Sequence, residues 1–331
     1  MTFVCTMAPT PSGWTATNPL RFDRPAAIRL VCVTGSRAVS HLDQCAISQY
    51  NLWGLLFPKR QKGQKYMTEV VVWNINRKQQ ALEQLVKMGA DLALLQEVHP
   101  GGWKWLAEYG NGVEVSPHEP WSPWGKATYD RWPLVVRLSD RIQIEWFTYR
   151  GPAHWPTAAQ FPTSGYGTVA VAKVIPSDNQ EPFIAASMYG RFRSPHPTVG
   201  DSDWIHADAS VHRIISDFSV FISPKPDTTH RILAAGDLNM NFLGRIVPEG
   251  RSQSVLTRME ALGMEYIGPK TSDNERVPTY YTRSQEPATA RSQLDHVFAS
   301  KGMHDDITVQ AMNSVDEWGP SDHCRILATL A

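Results

Sequence analysis

The stretch Ala234-Ala235-Gly236-Asp237-Leu238-Asn239-Met240, AAGDLNM, ends the apolar run RILAAG (231–236) with an aspartate and an asparagine two residues apart. In an extended chain, alternation places Asp237 and Asn239 on the same side, where two short polar groups could converge on one ligand. An Asx-rich turn after a strand would produce the same residues. The rest of the chain has to distinguish these interpretations.

Length and composition are typical of a globular protein. The chain has 331 residues with 12 Trp and 24 Pro, which is long enough for one large domain or two ordinary ones with a sizeable core. No apolar run approaches the roughly 20 residues of a membrane span, and the N-terminus lacks the basic-then-apolar order of a signal peptide. We therefore expect a cytoplasmic protein without a membrane span, and a monomer.

Charge and pattern divide the chain near Met67. Residues 1–66 contain eight Lys/Arg and two Asp/Glu, so residues 67–331 contain 24 basic and 30 acidic residues. The first segment shows no sustained periodicity and is predicted to be a loosely ordered extension, or an artefact of start-codon choice. The acidic balance of 67–331 counts against a protein that lives by non-specific attraction to duplex phosphates. It suits a site that concentrates carboxylates around a metal.

Strands alternate with helices from residue 67 onward. The patterns predict strands at 69–73, 91–98, 133–138, 141–149, 167–175, 182–189, 231–236, 294–299 and 323–330, with helices over 77–88, 203–222 and 254–263. Many strands and few helices favour two packed sheets flanked by helices. No internal repeat and no second domain within 67–331 is evident.

Polar side chains stand at the ends of these apolar strands. They are Asn74 and Asn76, Gln96-Glu97, Tyr189, Asp237 and Asn239, Asp295-His296, and Ser321-Asp322-His323. Taken alone, each of these residues could equally be a turn former, a solvated strand end or a core residue without a functional role. Their recurrence at successive strand ends predicts one site built from carboxylates, amides, a phenol and an imidazole.

The order of these motifs, WNIN…LLQEV…MY…GDLN…LDH…SDH, resembles the endonuclease/exonuclease/phosphatase superfamily over about 67–331. The resemblance implies a four-layered α/β/β/α sandwich with the active site at one end of the packed sheets. It also implies hydrolysis of a phosphoester with a divalent metal, usually Mg²⁺, with Mn²⁺ as an alternative. The metal-binding glutamate of the superfamily falls on Glu97, and Asn76 and Asp322 supply oxygens of the kind a hard cation prefers.

The resemblance also implies catalytic roles. Asp237 would position or deprotonate the attacking water, and His323 would contact the scissile phosphate and stabilise its developing charge. Asp295 would hold the imidazole of His323 in one tautomer. Asn74 and Asn239 would donate to phosphate oxygens. Whether Asp237 or His323 is the general base stays open.

Tyr189 points to one branch of the superfamily, that of exonuclease III and the apurinic/apyrimidinic endonucleases, since other branches carry histidine there. The following residues, GRFRSPHP (190–197), depart from that branch. Arg191 and Arg193 in this segment either bind a substrate phosphate or belong to a solvated loop. The abasic-site activity of the branch is therefore not carried over.

Three functions remain to be weighed. The leading prediction is a nuclease acting on DNA or RNA. The alternative is a phosphatase or phospholipase C-like hydrolase of an inositol phosphate, a sphingolipid or another small phosphoester, which the acidic balance favours. A catalytically inactive binding protein is the third, and it would be expected to lack Glu97, Asp237, Asp295 or His323, all of which are present.

Overall fold

The computed structural model describes residues 67–117, 131–151, 155–164, 168–177, 180–192, 196–199, 207–223, 230–242, 249–282 and 285–331. All of them lie within the unit Phe57–Ala331. The predicted extension 1–66 and the predicted phosphate contact Arg193 lie outside the described residues. The boundary near Met67 stays a prediction.

The described residues contain fourteen strands and four α-helices. The strands are β1 (Thr68–Asn74), β2 (Leu92–Val98), β3 (Glu114–Val115), β4 (Trp132–Arg137), β5 (Ile142–Trp146), β6 (Thr148–Arg150), β7 (Gln160–Pro162), β8 (Thr168–Pro176), β9 (Phe183–Tyr189), β10 (Ile232–Asp237), β11 (Met264–Gly268), β12 (Asp295–Ser300), β13 (Ile307–Met312) and β14 (Arg325–Leu330). The helices are α1 (Gln79–Leu85), α2 (Pro100–Ala107), α3 (Ala207–Phe218) and α4 (Glu249–Ala261).

Twelve of the strands form two six-stranded mixed sheets, which confirms the predicted four-layered α/β/β/α sandwich. Sheet 1 has the order β13-β14-β1-β2-β4-β3, and sheet 2 has the order β11-β12-β10-β9-β8-β5. The inner strands β1, β2 and β4 of sheet 1 pack against β10, β9 and β8 of sheet 2. All seven residues of β2 are buried, as its continuous apolar sequence predicts.

Helices cover the outer faces of the sandwich. On one face of α1 the apolar residues Ala81, Leu82 and Leu85 are fully inaccessible. On sheet 2, α3 and α4 pack their apolar residues onto β8, β9, β10 and β12 in one hydrophobic cluster. No helix in the described ranges is long and apolar enough to span a membrane.

Two of the differences from the predicted element boundaries have a clear local cause. The helix predicted over 77–88 is shorter, because Arg77 adopts a left-handed φ of 59° before it and the chain after Leu85 continues in tight turns to Gly89. The strand predicted over 141–149 divides at Phe147, which is buried in the cluster beneath α3. Here β5 stays in sheet 2, whereas β6 pairs with β7.

Two parallel strand pairs direct polar residues to one rim. In sheet 1, β1 and β2 run parallel with Asn74 beside Gln96, and in sheet 2, β9 and β10 run parallel with Tyr189 beside Asp237. The carboxyl ends of parallel strands meet at the same edge of a sheet. The antiparallel strand β12 adds Asp295 directly opposite Asp237.

Glycine makes the close approach of β9 and β10 possible at this rim. A Cβ on Gly236, whose φ is 149°, would overlap the Met188 carbonyl oxygen, and a Cβ on Gly190 would overlap the Leu238 carbonyl oxygen. Only a residue without a side chain fits such contacts. The glycine of the AAGDLNM stretch is therefore required by packing.

We expect Gly236→Ala to lower the free energy of unfolding by about 2–5 kcal/mol. The backbone strain of about 1–2 kcal/mol adds to overpacking of about 1–3 kcal/mol. Gly89→Ala is the matched control, because Gly89 also has a positive φ, 75°, but a Cβ on it would meet no atom within 4 Å. Urea unfolding of both variants tests the expectation, and equal losses would contradict it.

Candidate functional site

The predicted site residues meet where the rims of the two sheets face each other, and three polar side-chain pairs join the sheets there. Asn74 Nδ2 donates to Asp237 Oδ2 at 2.8 Å, and the Tyr189 hydroxyl donates to Glu97 Oε1 at 2.9 Å. His323 Nδ1 lies 2.8 Å from Asp295 Oδ2. The residues predicted to converge are therefore brought together, although Asn74 and His323 are 249 positions apart.

Asp237 and its partner Asn74 each form an Asx turn of the same kind. The backbone N–H of Asn239 donates to Asp237 Oδ1 at 2.8 Å, and that of Asn76 donates to Asn74 Oδ1 at 2.9 Å. Asn239 and Asn76 both take left-handed φ angles, 51° and 43°. Such conformations suit asparagine better than most residues. Both interpretations of the AAGDLNM stretch are therefore correct. The Asx turn is what brings the side chains of Asp237 and Asn239 together.

Asn239 also closes the site from the side of β9. Its amide Nδ2 donates to the Gly190 carbonyl oxygen at 2.9 Å and to Asp237 Oδ2 at 3.2 Å. Both amide hydrogens are thus used within the protein. The predicted donation by Asn239 to a phosphate oxygen requires that one of these bonds be released.

His323 is fixed by the residues around it. Its backbone N–H donates to Ser321 Oγ at 3.2 Å, and Ser321 Oγ donates to the Asn74 carbonyl oxygen at 2.7 Å. Trp73 Nε1 donates to the His323 carbonyl oxygen at 3.0 Å. The ring of Tyr280 lies 4.7 Å from the imidazole, centroid to centroid. These contacts leave Nε2 directed toward Asp237, whose Oδ2 lies 3.9 Å away.

Burial and neighbouring charges set the protonation of this pair. Burial raises the pKa of Asp237 to about 7, with a lowering from His323 and a further rise from Asp295. Burial lowers the pKa of His323, but the carboxylates of Asp295 and Asp237 outweigh it and raise the pKa to about 10. Near neutral pH the imidazole is therefore a cation, and Asp237 is the group poised to exchange a proton.

Glu97 stands at a bulge in β2. The register between β2 and β4 shifts between Leu95 and Val98, and Glu97 has a left-handed φ of 53°. A bulge re-aims side chains in this way. Arg131 Nη1 donates to Glu97 Oε1 at 2.7 Å, and the Tyr189 hydroxyl contacts the same oxygen. Burial raises the pKa of Tyr189, and Glu97 and Asp237 raise it further, so the phenol stays a donor.

A cleft of about 760 Å³ opens beside these residues. It is lined by Asn76 and Asp322, two of the predicted metal ligands, and by Arg77, Lys78, His99 and Tyr281, among others. The backbone N–H of Arg77 donates to the Glu97 carbonyl oxygen at 3.0 Å, which places the Asn76 turn against the bulge. The cleft therefore brings cationic side chains beside the carboxylate of Asp322.

Two groups of residues could hold a divalent metal. Within the described part of the chain, Asp237, Asp295 and His323 form a group whose ligand atoms lie within 4.8 Å of one another. In this group, however, Nδ1 of His323 is already engaged with Asp295 Oδ2, and both carboxylate oxygens of Asp237 accept hydrogen bonds from Asn74 and Asn239. The second group is Glu97, Asn76 and Asp322. The two hydrogen bonds to Glu97 both go to Oε1, which makes Oε2 the oxygen to offer a cation, and all three side chains supply the oxygens that Mg²⁺ prefers.

For Arg191 the structure gives a backbone contact, and two residues of the site were not predicted individually. The backbone N–H of Arg191 donates to Ser210 Oγ of α3 at 2.9 Å, and its phosphate contact stays a prediction. Arg131 belongs to the site and was not singled out, and Ser321 was named only as part of the SDH motif. In the sequence, these two residues are marked only by where they stand: Arg131 directly precedes a strand, and Ser321 is the first residue of the SDH motif.

The chain matches the model of the Endonuclease/Exonuclease/phosphatase family over residues 71–323. No curated protein matches it in sequence. Solved structures do share its fold, at identities low enough that the likeness shows the fold alone.

Three of these structures illustrate the likeness. The AP endonuclease LMAP from Leishmania major is 14% identical, with a TM-score of 0.58, over 86% of this chain and 95% of that one. The APE2 catalytic domain of Xenopus laevis is 13% identical, with a TM-score of 0.56, over 79% and 91%. The 3′ phosphatase NExo from Neisseria, bound to a product DNA hairpin, is 14% identical, with a TM-score of 0.51, over 80% and 99%.

We expect Asn74→Ala to lower the free energy of unfolding by about 1–3 kcal/mol, because buried Asp237 loses a hydrogen-bond donor. The pKa of Asp237 should rise further, since this bond holds it down. Asn313→Ala is the control: its amide donates to the Pro278 carbonyl oxygen at a part-buried position, and about 1 kcal/mol or less is expected. Urea unfolding above the pKa of Asp237 compares them, and equal stabilities would contradict the expectation.

Proposed function

Because this chain belongs to the endonuclease/exonuclease/phosphatase family, we propose that it is a divalent-metal-dependent nuclease that hydrolyses a phosphodiester of DNA or RNA by in-line attack of water. The observation that carries the proposal is the pairing of a buried carboxylate, Asp237, with an imidazolium, His323, at 3.9 Å. Mg²⁺ is the proposed metal, with Mn²⁺ as an alternative. The cytoplasmic location and the monomeric state stay predictions.

Asp237 is the proposed general base. Its pKa of about 7 lies near neutral pH, where a base combines the correct protonation state with a useful driving force. His323, with its pKa raised to about 10, is a poor base but a strong source of positive charge. This difference favours Asp237 in the choice that the sequence left open.

His323 is proposed to stabilise the charge that develops on the phosphate as phosphorus becomes five-coordinate. Asp295 orients the imidazole through the 2.8 Å contact to Nδ1 and keeps it protonated. Asn74 uses one amide hydrogen on Asp237, and its second is proposed to reach a phosphate oxygen. Tyr189 keeps Glu97 in place as a neutral donor.

Glu97, Asn76 and Asp322 are the proposed metal ligands, directly or through water. When bound, the metal supplies Lewis-acid stabilisation of phosphate oxygens and lowers the pKa of nearby water. The chain itself contributes the carboxylate of Glu97, whose Oε1 accepts from Arg131 and from the Tyr189 hydroxyl.

Nucleic acid is the favoured substrate because Arg77 and Lys78 line the cleft together with Asp322, a proposed metal ligand, and can neutralise neighbouring phosphates there. The AP endonuclease and the DNA-bound 3′ phosphatase that share the fold support this choice. A small phosphoester is the second candidate, favoured by the acidic balance of residues 67–331.

We expect His323→Ala to lower kcat/KM by at least about a hundredfold, the usual scale for losing a charge-stabilising group. The full chain is assayed with Mg²⁺ on bis-p-nitrophenyl phosphate, abasic duplex, single-stranded DNA, RNA, inositol phosphates and sphingomyelin. His304→Ala is the matched control, because His304 pairs with Glu265 outside the site. An unchanged rate in His323→Ala would reject the assigned centre.

The same panel separates the two substrate classes. For a nuclease we expect hydrolysis of nucleic acid, and we expect its kcat/KM to fall steeply as salt is added, because salt weakens binding of the substrate. Preferential hydrolysis of inositol phosphates or sphingomyelin with a flat response to salt would replace the nuclease by the small-phosphoester enzyme.

We expect kcat/KM to fall about tenfold per pH unit as the pH drops below about 7. Asp237 acts as a base only when ionised, and the fraction of ionised carboxylate declines below its raised pKa. A pH–rate profile from about pH 5 to about pH 9 measures this limb, and Asp237→Asn should be inactive throughout. Activity that stays constant down to about pH 5 would show that Asp237 is not the base.

A further inference from the structure

Arg131 makes the closest cationic contact to the proposed metal ligand. It directly precedes β4, and its Nη1 lies 2.7 Å from Glu97 Oε1 and 3.3 Å from the Tyr189 hydroxyl. The Tyr189 hydroxyl donates to the same oxygen of Glu97. Three side chains from β2, β9 and the start of β4 thus form a closed cluster across the two sheets.

Burial explains why Glu97 needs a cation. Its side chain is 10% exposed, and an ionised carboxylate so far removed from water is costly unless it is paired. Arg131 provides the pairing. Its own side chain is 35% exposed, so the guanidinium can leave the carboxylate for solvent, whereas Glu97 cannot.

A divalent metal ion would supply the same compensation with twice the charge. A guanidinium and a dication on one carboxylate would stand within a few ångströms of each other, where like charges in a partly buried site repel strongly. One cation is therefore expected to weaken the binding of the other. A guanidinium displaced from Glu97 would remain at the rim, beside the place where the substrate phosphate is expected.

We propose that Arg131 is the resident counter-ion of Glu97, which the metal displaces, and that the displaced guanidinium then binds a non-bridging oxygen of the substrate phosphate. This inference rests on the proposed function, because it takes Glu97 as a metal ligand. The planar guanidinium fork matches both a carboxylate and a phosphate. The exchange keeps one cation on Glu97 at every stage and delivers the second to the incoming anion.

The competing interpretation is a fixed clamp. Arg131 would then stay on Oε1 and orient Glu97 while the metal binds Oε2. The two interpretations differ in sign: removing Arg131 strengthens metal binding if the cations compete and weakens it if the arginine only positions Glu97.

The test measures Mn²⁺ binding to the full chain by electron paramagnetic resonance, without substrate. We expect Arg131→Gln to bind Mn²⁺ at least about tenfold more tightly than the wild type, because a positive charge is removed from the carboxylate. Tyr189→Phe is the matched control, since it removes the other donor to the same oxygen without changing charge, and less than about a fivefold change is expected. Arg131→Lys, which keeps the charge, should resemble the wild type.

Turnover supplies the second readout. At saturating Mn²⁺, Arg131→Gln should hydrolyse oligonucleotides with kcat/KM lowered by about tenfold or more, and Arg131→Lys should recover part of this loss. Tighter metal binding combined with slower turnover supports the exchange. Unchanged or weaker Mn²⁺ binding in Arg131→Gln overturns it.

Glu97→Gln separates failure of this inference from failure of the proposed function. If the wild type binds no Mn²⁺, or if Glu97→Gln binds it as tightly as the wild type, the metal site is wrong and the exchange is rejected with it. If Glu97→Gln binds weakly but Arg131→Gln does not bind more tightly than the wild type, only the exchange is rejected.

Discussion

The polar contacts that join the rims of the two sheets, here called the seam, are the interaction on which the rest of the site depends. Asn74 with Asp237, Glu97 with Tyr189, and His323 with Asp295 each pair a residue of sheet 1 or its flanking loop with a residue of sheet 2. In a buried seam such contacts are strong when satisfied and costly when broken. Behind the rim, Gln96 Nε2 donates across the seam to Ser187 Oγ at 2.9 Å. Packing of the sandwich and assembly of the site are therefore one event.

Much of this arrangement could be predicted from strand ends. Polar residues that follow apolar strands locate the rim, and the ordered motifs indicate the superfamily and the sandwich. The opening stretch shows the limit of the method. Alternation predicts that Asp237 and Asn239 converge, and they do, but through a left-handed Asx turn that an extended chain does not contain. Periodicity identifies the residues and leaves the backbone path undetermined.

Arg131 and the bulge at Glu97 could not be predicted for a different reason. A bulge arises from the mismatch between two strands far apart in the chain, and β2 reads as a continuous apolar strand. Arg131 belongs to the site because it contacts Glu97 and Tyr189, which lie 34 positions before it and 58 positions after it in the chain. One sequence carries no mark of such long-range partners. The electrostatic character of the site likewise emerges only from the fold, because burial raises the pKa of Asp237 and the neighbouring carboxylates of Asp295 and Asp237 raise the pKa of His323.

The position of β14 has a consequence for biosynthesis. This strand lies between β13 and β1, and His323 stands just before it. Glu97, Tyr189, Asp237 and Asp295 all leave the ribosome earlier, yet β1 lacks its antiparallel neighbour until residues 325–330 have emerged. A nascent chain therefore holds the carboxylates of the site before His323 has joined them. Translation itself delays completion of sheet 1, and with it assembly of this rim, until the last strand has been made.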